Sequence, residues 1–312
     1  MKIAFFGTGE FSKNILSKVY EDKNIEVALV VSQPDKPVGR DKEMLETPVK
    51  QVANELGLKI LQPEKLKNNE DFFKFLKDLN LDFIVVVAYG KIVPKEVLEA
   101  PKYGCINIHG SILPKYRGAS PIQESLKNGD KLTGLTIMYM SEGMDEGDVL
   151  KIAEIKVDNV DKTPDLFKKF EEIGPKLLIE TLNGIISGSI KGTPQDNSKA
   201  TYCKKIEKED GEINFSEMDS DEIYNKYRAY YTWPGIYTFF EGKKLDLEDI
   251  CLGEKIDGKI GSVVKLANKQ IGIISKNGQA ILLNKIKLAG KKSMDINSFI
   301  NGNKKFLDYK FN

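Results

Sequence analysis

The first apolar positions are packed end to end. Ile3, Ala4, Phe5 and Phe6 form a continuous run that stops at Gly7-Thr8-Gly9, as expected of a short strand buried on both faces. Phe11, Ile15, Leu16 and Val19 then recur at helical spacing, which predicts a helix over 10–21. The run at 26–31 predicts a second strand. Residues 32–42 hold two prolines and a glycine and read as a long loop. Thr47-Pro48 supplies a cap and a first-turn proline for a helix to about Leu56. A short strand at 59–61, an amphipathic helix at 68–79 and a β-branched strand at 82–88 follow. Pro94 opens a short helix, and 104–108, 133–140 and 149–157 read as strands. Thr163-Pro164 starts a long helix to about Ile186, with a kink expected at Gly174-Pro175. Alternation of this kind implies an α/β fold: a Rossmann-like, doubly wound, mainly parallel sheet.

Past Lys208 the period shortens. Apolar runs at 236–240, 245–247, 260–266, 270–274 and 280–288 are separated by turn signals, with Asn277-Gly278 the strongest. Five short strands predict a small OB-like β-barrel. The tract 187–199 has the small, polar composition of a connection. The expected division is a catalytic domain over 1–190, a linker over 191–206 and the barrel over 207–312.

Composition narrows the chemistry. The 312 residues carry a net charge of +1, yet 251–312 holds 12 Lys against 4 acids. A basic lobe beside an acidic remainder fits contact with a polyanion, or a solvated lysine surface. No apolar run reaches the ~20 residues of a membrane helix, and the N-terminal run is too short for a signal peptide. Cys105, Cys203 and Cys251 lie far apart, which fits a reducing cytosol. One histidine in the whole chain excludes paired-His metal sites. Gly7-Thr8-Gly9 lacks the third glycine of a dinucleotide fingerprint, because position 12 is Ser12.

The candidate chemistry lies in 105–150. Asn107 and His109 stand two apart on a predicted strand and so share a face, at the carboxyl end where open α/β sheets bind ligands. Asp145 sits between Gly143 and Gly147. Each has an ordinary structural explanation: a satisfied histidine, a turn amide, a turn acid. Together an amide, an imidazole and a carboxylate can hold an oxyanion, move a proton and orient the group that moves it. Without a serine elbow or a plausible cysteine nucleophile, the set favours direct acyl transfer over a covalent acyl-enzyme.

The segment Asn107-Ile108-His109-Gly110-Ser111-Ile112-Leu113-Pro114, with Asp145 36 residues after His109 in Asp145-Glu146-Gly147, resembles the folate-dependent formyltransferases. The resemblance extends to Gln33–Arg40, Val85–Pro94, Arg117–Gln123, Trp233-Pro234 and Ala289-Gly290-Lys291-Lys292. Gly9 stands where members usually have proline, and Asp41, Glu43 and Glu46 make the loop after Arg40 less basic. The resemblance implies transfer of formyl from 10-formyltetrahydrofolate to the α-amino group of methionyl initiator tRNA. Asn107, His109 and Asp145 would be catalytic. Ser111, Ile112, Leu113, Pro114, Tyr89, Lys91 and Val93 would line the folate pocket. Arg40, Lys42, Lys285, Lys287, Lys291 and Lys292 would contact tRNA. No metal is required, and a cytoplasmic monomer without membrane contact is expected.

Overall fold

The computed structural model describes all residues except 39–42 and 267–268. In chain order it forms β1 (Lys2–Gly7), α1 (Glu10–Tyr20), β2 (Glu26–Val31), β3 (Lys36–Val38), β4 (Glu43–Leu45), α2 (Pro48–Glu55), β5 (Ile60–Leu61), α3 (Glu70–Asp78), β6 (Phe83–Val87), α4 (Lys95–Leu98), β7 (Cys105–His109), β8 (Arg117–Gly118) and α5 (Pro121–Lys127). Then come β9 (Leu132–Tyr139), β10 (Val149–Lys156), α6 (Thr163–Ser187), β11 (Tyr202–Cys203), α7 (Ser220–Ala229), β12 (Tyr237–Phe240), β13 (Lys243–Lys255), β14 (Val263–Lys265), β15 (Ile271–Ile274), β16 (Gln279–Leu288), β17 (Met294–Asp295) and α8 (Ile296–Gly302).

Seven strands make one sheet in the order β10-β9-β7-β6-β1-β2-β5. β5, β2, β1, β6 and β7 run parallel, and β9 and β10 add an antiparallel edge. The central strands β1 and β6 are almost wholly buried, which explains their unbroken apolar runs. The chain leaves β1 toward β2 and β5, then returns to the other side as β6 and β7. That reversal puts a crevice at the carboxyl ends of β1 and β6. Two side chains tie its walls together: Thr8 Oγ1 donates to the Tyr89 carbonyl at 3.0 Å and Ser12 Oγ to the Val87 carbonyl at 2.6 Å. Ser12 stands where a dinucleotide fold carries glycine, and its hydroxyl fixes α1 to β6.

The later strands form an antiparallel sheet curled into a half-barrel, β12-β13-β16-β15-β14, with β17 on β16. β13 extends well beyond the expected 245–247, and register shifts near Leu247 and Asp249 hide its alternation. Of the expected 260–266 run, only Val263–Lys265 is a strand. The helices α5, α7 and α8 do not show in the apolar pattern. They are short, and α7 is mostly polar, although Asp219 and Glu222 form a capping box at its start. The expected loop at 32–42 contains β3, which pairs with β4 just beyond it. Asp35 holds its base, accepting from Lys50 Nζ at 2.5 Å and Gln62 Nε2 at 2.7 Å. α6 continues through Pro175 without interruption.

The packing divides the chain differently from the expected 1–190, 191–206 and 207–312. One compact unit comprises Met1–Pro121, Leu132–Lys156 and Phe167–Cys203; the other comprises Ile122–Lys131, Val157–Leu166 and Lys204–Asn312. Much of the expected linker therefore packs in the first unit. Thr193 exchanges two backbone hydrogen bonds with Val149, and β11 pairs with β8. Among the described residues no helix is long and apolar enough to cross a membrane.

Ser12→Ala should lower the free energy of unfolding by about 1–3 kcal/mol, because it strips a buried carbonyl of a donor. Urea unfolding of the two proteins measures this, and equal midpoints would show that the Ser12–Val87 bond contributes nothing.

Candidate active site

β7 ends at His109, and the next ten residues fold back against β9 and β11. Inside this loop Thr136 Oγ1 donates to the Ser111 carbonyl at 2.6 Å and lies 3.1 Å from the Leu113 N–H. Ser111 Oγ donates to the Lys115 carbonyl at 2.6 Å. The turn brings the Tyr116 carbonyl to 2.9 Å from His109 Nε2. A carbonyl only accepts, so Nε2 carries a hydrogen. Nδ1 is then the nitrogen that gains and loses a proton, and it faces Asp145 Oδ2 at 3.6 Å. That separation is too long for a direct hydrogen bond.

The His109 side chain is only 5% exposed. Burial lowers its pKa below 6.5, and this outweighs the opposing pull of the Asp145 charge and the Tyr116 hydrogen bond. The imidazole is therefore neutral near pH 7, with the Nδ1 lone pair toward Asp145. Asp145 acts in the direction that favours a charged ring, but desolvation is the larger effect.

Asp145 is held by backbone. Its Oδ2 accepts from the Gly118 N–H at 2.8 Å, and its φ is +52°. Tyr116 and Gly118, two residues apart, thus position the histidine and the acid respectively. β8 itself is fixed by parallel pairing with β11. Gly118 has φ +125°, and a Cβ there would collide with the Cys203 carbonyl oxygen, so the position requires glycine. Asn107, on the same strand as His109, has a half-buried side chain with no hydrogen-bond partner among the described residues.

The sequence-predicted positions separate into groups. His109 and Asp145 belong to one loop system, and Asn107 stands two residues before His109 on β7. Tyr89 and Val93 are core residues: the Tyr89 ring packs edge-on against Phe6 at 5.5 Å, and burial pushes its hydroxyl up to about 12. Lys91 Nζ donates to the Pro63 and Glu64 carbonyls at 3.1 and 2.8 Å. Ser111 and Leu113 are buried, while Ile112 and Pro114 are partly open. Arg40 and Lys42 lie outside the described residues. Lys285 and Lys287 share the outer face of β16, with Lys291 and Lys292 exposed in the turn after it. Lys285 lies 3.9 Å from Glu248, and Lys287 pairs in register with Asp246.

Sequence reasoning missed Gln195, in the tract that reads as linker. Its amide donates to the Asp145 and Gly147 carbonyls at 2.9 and 2.7 Å. Nothing in a run of polar residues announces such a contact, which joins positions 50 residues apart in the chain.

Residues 1–182 match the formyl transferase family, and 205–304 match the formyl transferase C-terminal domain. The methionyl-tRNA formyltransferase of Caldicellulosiruptor saccharolyticus is 45% identical, covering 97% of this chain and 97% of its own. This chain belongs to the methionyl-tRNA formyltransferases. The Halothermothrix orenii relative of the same name is 42% identical, with the same coverage of both chains. An N-formyltransferase from Helicobacter canadensis, solved with folinic acid and dTDP-3-aminofucose, shares the fold at TM-score 0.67. It is 18% identical and covers 91% of this chain and 98% of its own. The loop system around His109 is thus set in a formyltransferase fold.

Because Asp145 raises the His109 pKa against burial, removing its charge lowers that pKa further. The acid limb of kcat/KM should lie below pH 6.5 and move to lower pH in Asp145→Asn. A pH–rate profile of both proteins checks this, and a limb that moves upward contradicts the assignment.

Proposed function

We propose that this enzyme transfers the formyl group of 10-formyltetrahydrofolate to the α-amino group of methionyl initiator tRNA, with Asn107, His109 and Asp145 as its catalytic groups. The observation that carries the reading is the disposition of His109: Nε2–H anchored on Tyr116 and a free Nδ1 lone pair facing a fixed carboxylate. The unprotonated amine attacks the formyl carbon, and a C–N bond forms. The carbonyl pair moves to oxygen, where the unpartnered Asn107 amide donates to the oxyanion. Nδ1 takes the ammonium proton, and the resulting imidazolium is stabilised by Asp145. When the oxyanion collapses, the bond to the folate nitrogen breaks and the Nδ1 proton passes to that nitrogen. Formylated aminoacyl-tRNA and tetrahydrofolate leave, and the enzyme returns to its starting state.

The folate would lie in the crevice at the ends of β1 and β6, against backbone of 87–90 and the partly open Ile112 and Pro114. A folate-bound relative of the same fold supports that donor. Side chains of Tyr89, Val93, Ser111 and Leu113 act from behind this surface, as packing. Lys285, Lys287, Lys291 and Lys292 would hold tRNA phosphate, and Arg40 and Lys42 would reach the acceptor end. The enzyme would act as a cytoplasmic monomer.

The direct test follows tetrahydrofolate release from 10-formyltetrahydrofolate with and without charged initiator tRNA. Release should depend on the tRNA; equal release without it would replace the reading by simple hydrolysis. Asn107→Ala should lower kcat by ~10²–10³. Neutralising the four lysines should make tRNA binding less salt-dependent, by about 0.7–0.9 in log–log slope for each phosphate they neutralise. The carboxylates opposite Lys285 and Lys287 make a change smaller than that of four phosphates the expected outcome, and an unchanged slope would remove β16 from the tRNA site.

A further inference from the structure

Arg117 places a guanidinium in the interior, with the residue 2% exposed. A guanidinium in that position needs its donors satisfied, yet among the described residues its acceptors are neutral. Nε and Nη2 both donate to Gln195 Oε1, at 3.1 and 2.8 Å, and Nη2 also donates to Asn197 Oδ1 at 2.7 Å. Nη1 lies 3.5 Å from the Tyr202 hydroxyl. With its oxygen fixed by the guanidinium, the Gln195 amide has only one orientation. Its Nε2 is turned to the carbonyls of Asp145 and Gly147, which flank Glu146. One side-chain amide thus spans the turn that carries Asp145.

The consequence is a closed ring of contacts around one residue. The Asp145 carboxylate is held by the Gly118 N–H. The Asp145 carbonyl is held through Gln195 by the side chain of Arg117, the residue preceding Gly118. Both ends of Asp145 therefore refer to the same dipeptide, at a position where φ is +52° and the backbone has no intrinsic preference to stay. The geometry points to Arg117 and Gln195 as a positioning pair that sets Asp145 against His109 for formyl transfer. Neither touches the reacting atoms. The inference rests on the catalytic reading of Asp145, and its test separates the two.

Gln195→Glu keeps the size and the pairing with Arg117, but it sets a carboxylate oxygen against two carbonyl oxygens where an N–H₂ stood. Arg117→Lys keeps the charge but loses the planar fork that orients the amide. Each should lower kcat about 10²-fold, the scale of an ångström-size displacement in a reacting constellation, while KM for donor and tRNA stays within a few-fold. The same two substitutions made on Asp145→Ala should cost no more than a few-fold further, because the residue they position is gone.

Steady-state kinetics of the singles and doubles, with thermal unfolding to identify folded variants, gives the answer. Should Gln195→Glu fail to fold, Arg117→Lys carries the comparison. Near-normal kcat in a folded single variant overturns the proposal while leaving the catalytic reading intact. An equal loss in both backgrounds also overturns it, since that is the mark of general damage. Wild-type turnover in Asp145→Ala alone would overturn the reading and the positioning role together.

Discussion

The active loop system depends on one short pairing, that of β8 with β11. Two residues a side form a parallel ladder, far too little to be stable alone. Its value lies in what the β8 backbone does on either flank. The carbonyl before it fixes the His109 tautomer and the N–H of its second residue fixes the Asp145 carboxylate. The two ionisable groups then stand 3.6 Å apart, near enough to interact electrostatically and too far to neutralise each other by a direct hydrogen bond. Burial keeps the imidazole uncharged until a proton arrives. In the proposed reaction the ion pair would form at the moment a proton must be stored, which is when a preorganised carboxylate is most useful.

The larger fold explains why this small pairing holds. β7 lies between buried β6 and the antiparallel β9, so the strand bearing Asn107 and His109 is rigid on both sides. Thr136 on β9, opposite His109 in register, pins the 111–113 turn. The loop is therefore supported by the sheet and by the 193–203 segment that returns along it.

Most of the parallel sheet was legible because burial on both faces leaves continuous apolar runs such as Phe83–Val87. The strand that carries Asn107 and His109 was legible because the two residues keep the two-residue period of a strand face. What escaped has physical reasons. β3 and β4 are three-residue strands of a polar hairpin, without alternation to read. Gln195 was hidden because its role is to join segments distant in sequence. The +8 balance of the lysine-rich end, drawn at residue 251, cut through β13 and left out Asp246, Glu248 and Asp249, which face β16 across the sheet. A charge count along the chain does not show that individual lysines of β16 stand opposite carboxylates of the neighbouring strand. The side chains of Tyr89 and Val93 read as pocket lining because their segment borders the crevice, yet both turn into the core.

The central claim is that the β8 backbone, anchored on β11, sets the spacing of His109 and Asp145. Gly118→Ala tests it most directly, since a side chain at φ +125° is strained and meets the Cys203 carbonyl. Its crowding acts on β8 and leaves the side chains of Asn107, His109 and Asp145 chemically unchanged. The decisive measurement is kcat for formyl transfer by this variant, taken beside its Kd for the folate donor and its unfolding midpoint. The account predicts a kcat lowered about 10²-fold in a protein that still folds and binds the donor within a few-fold of wild type. A folded Gly118→Ala protein with wild-type kcat would contradict it.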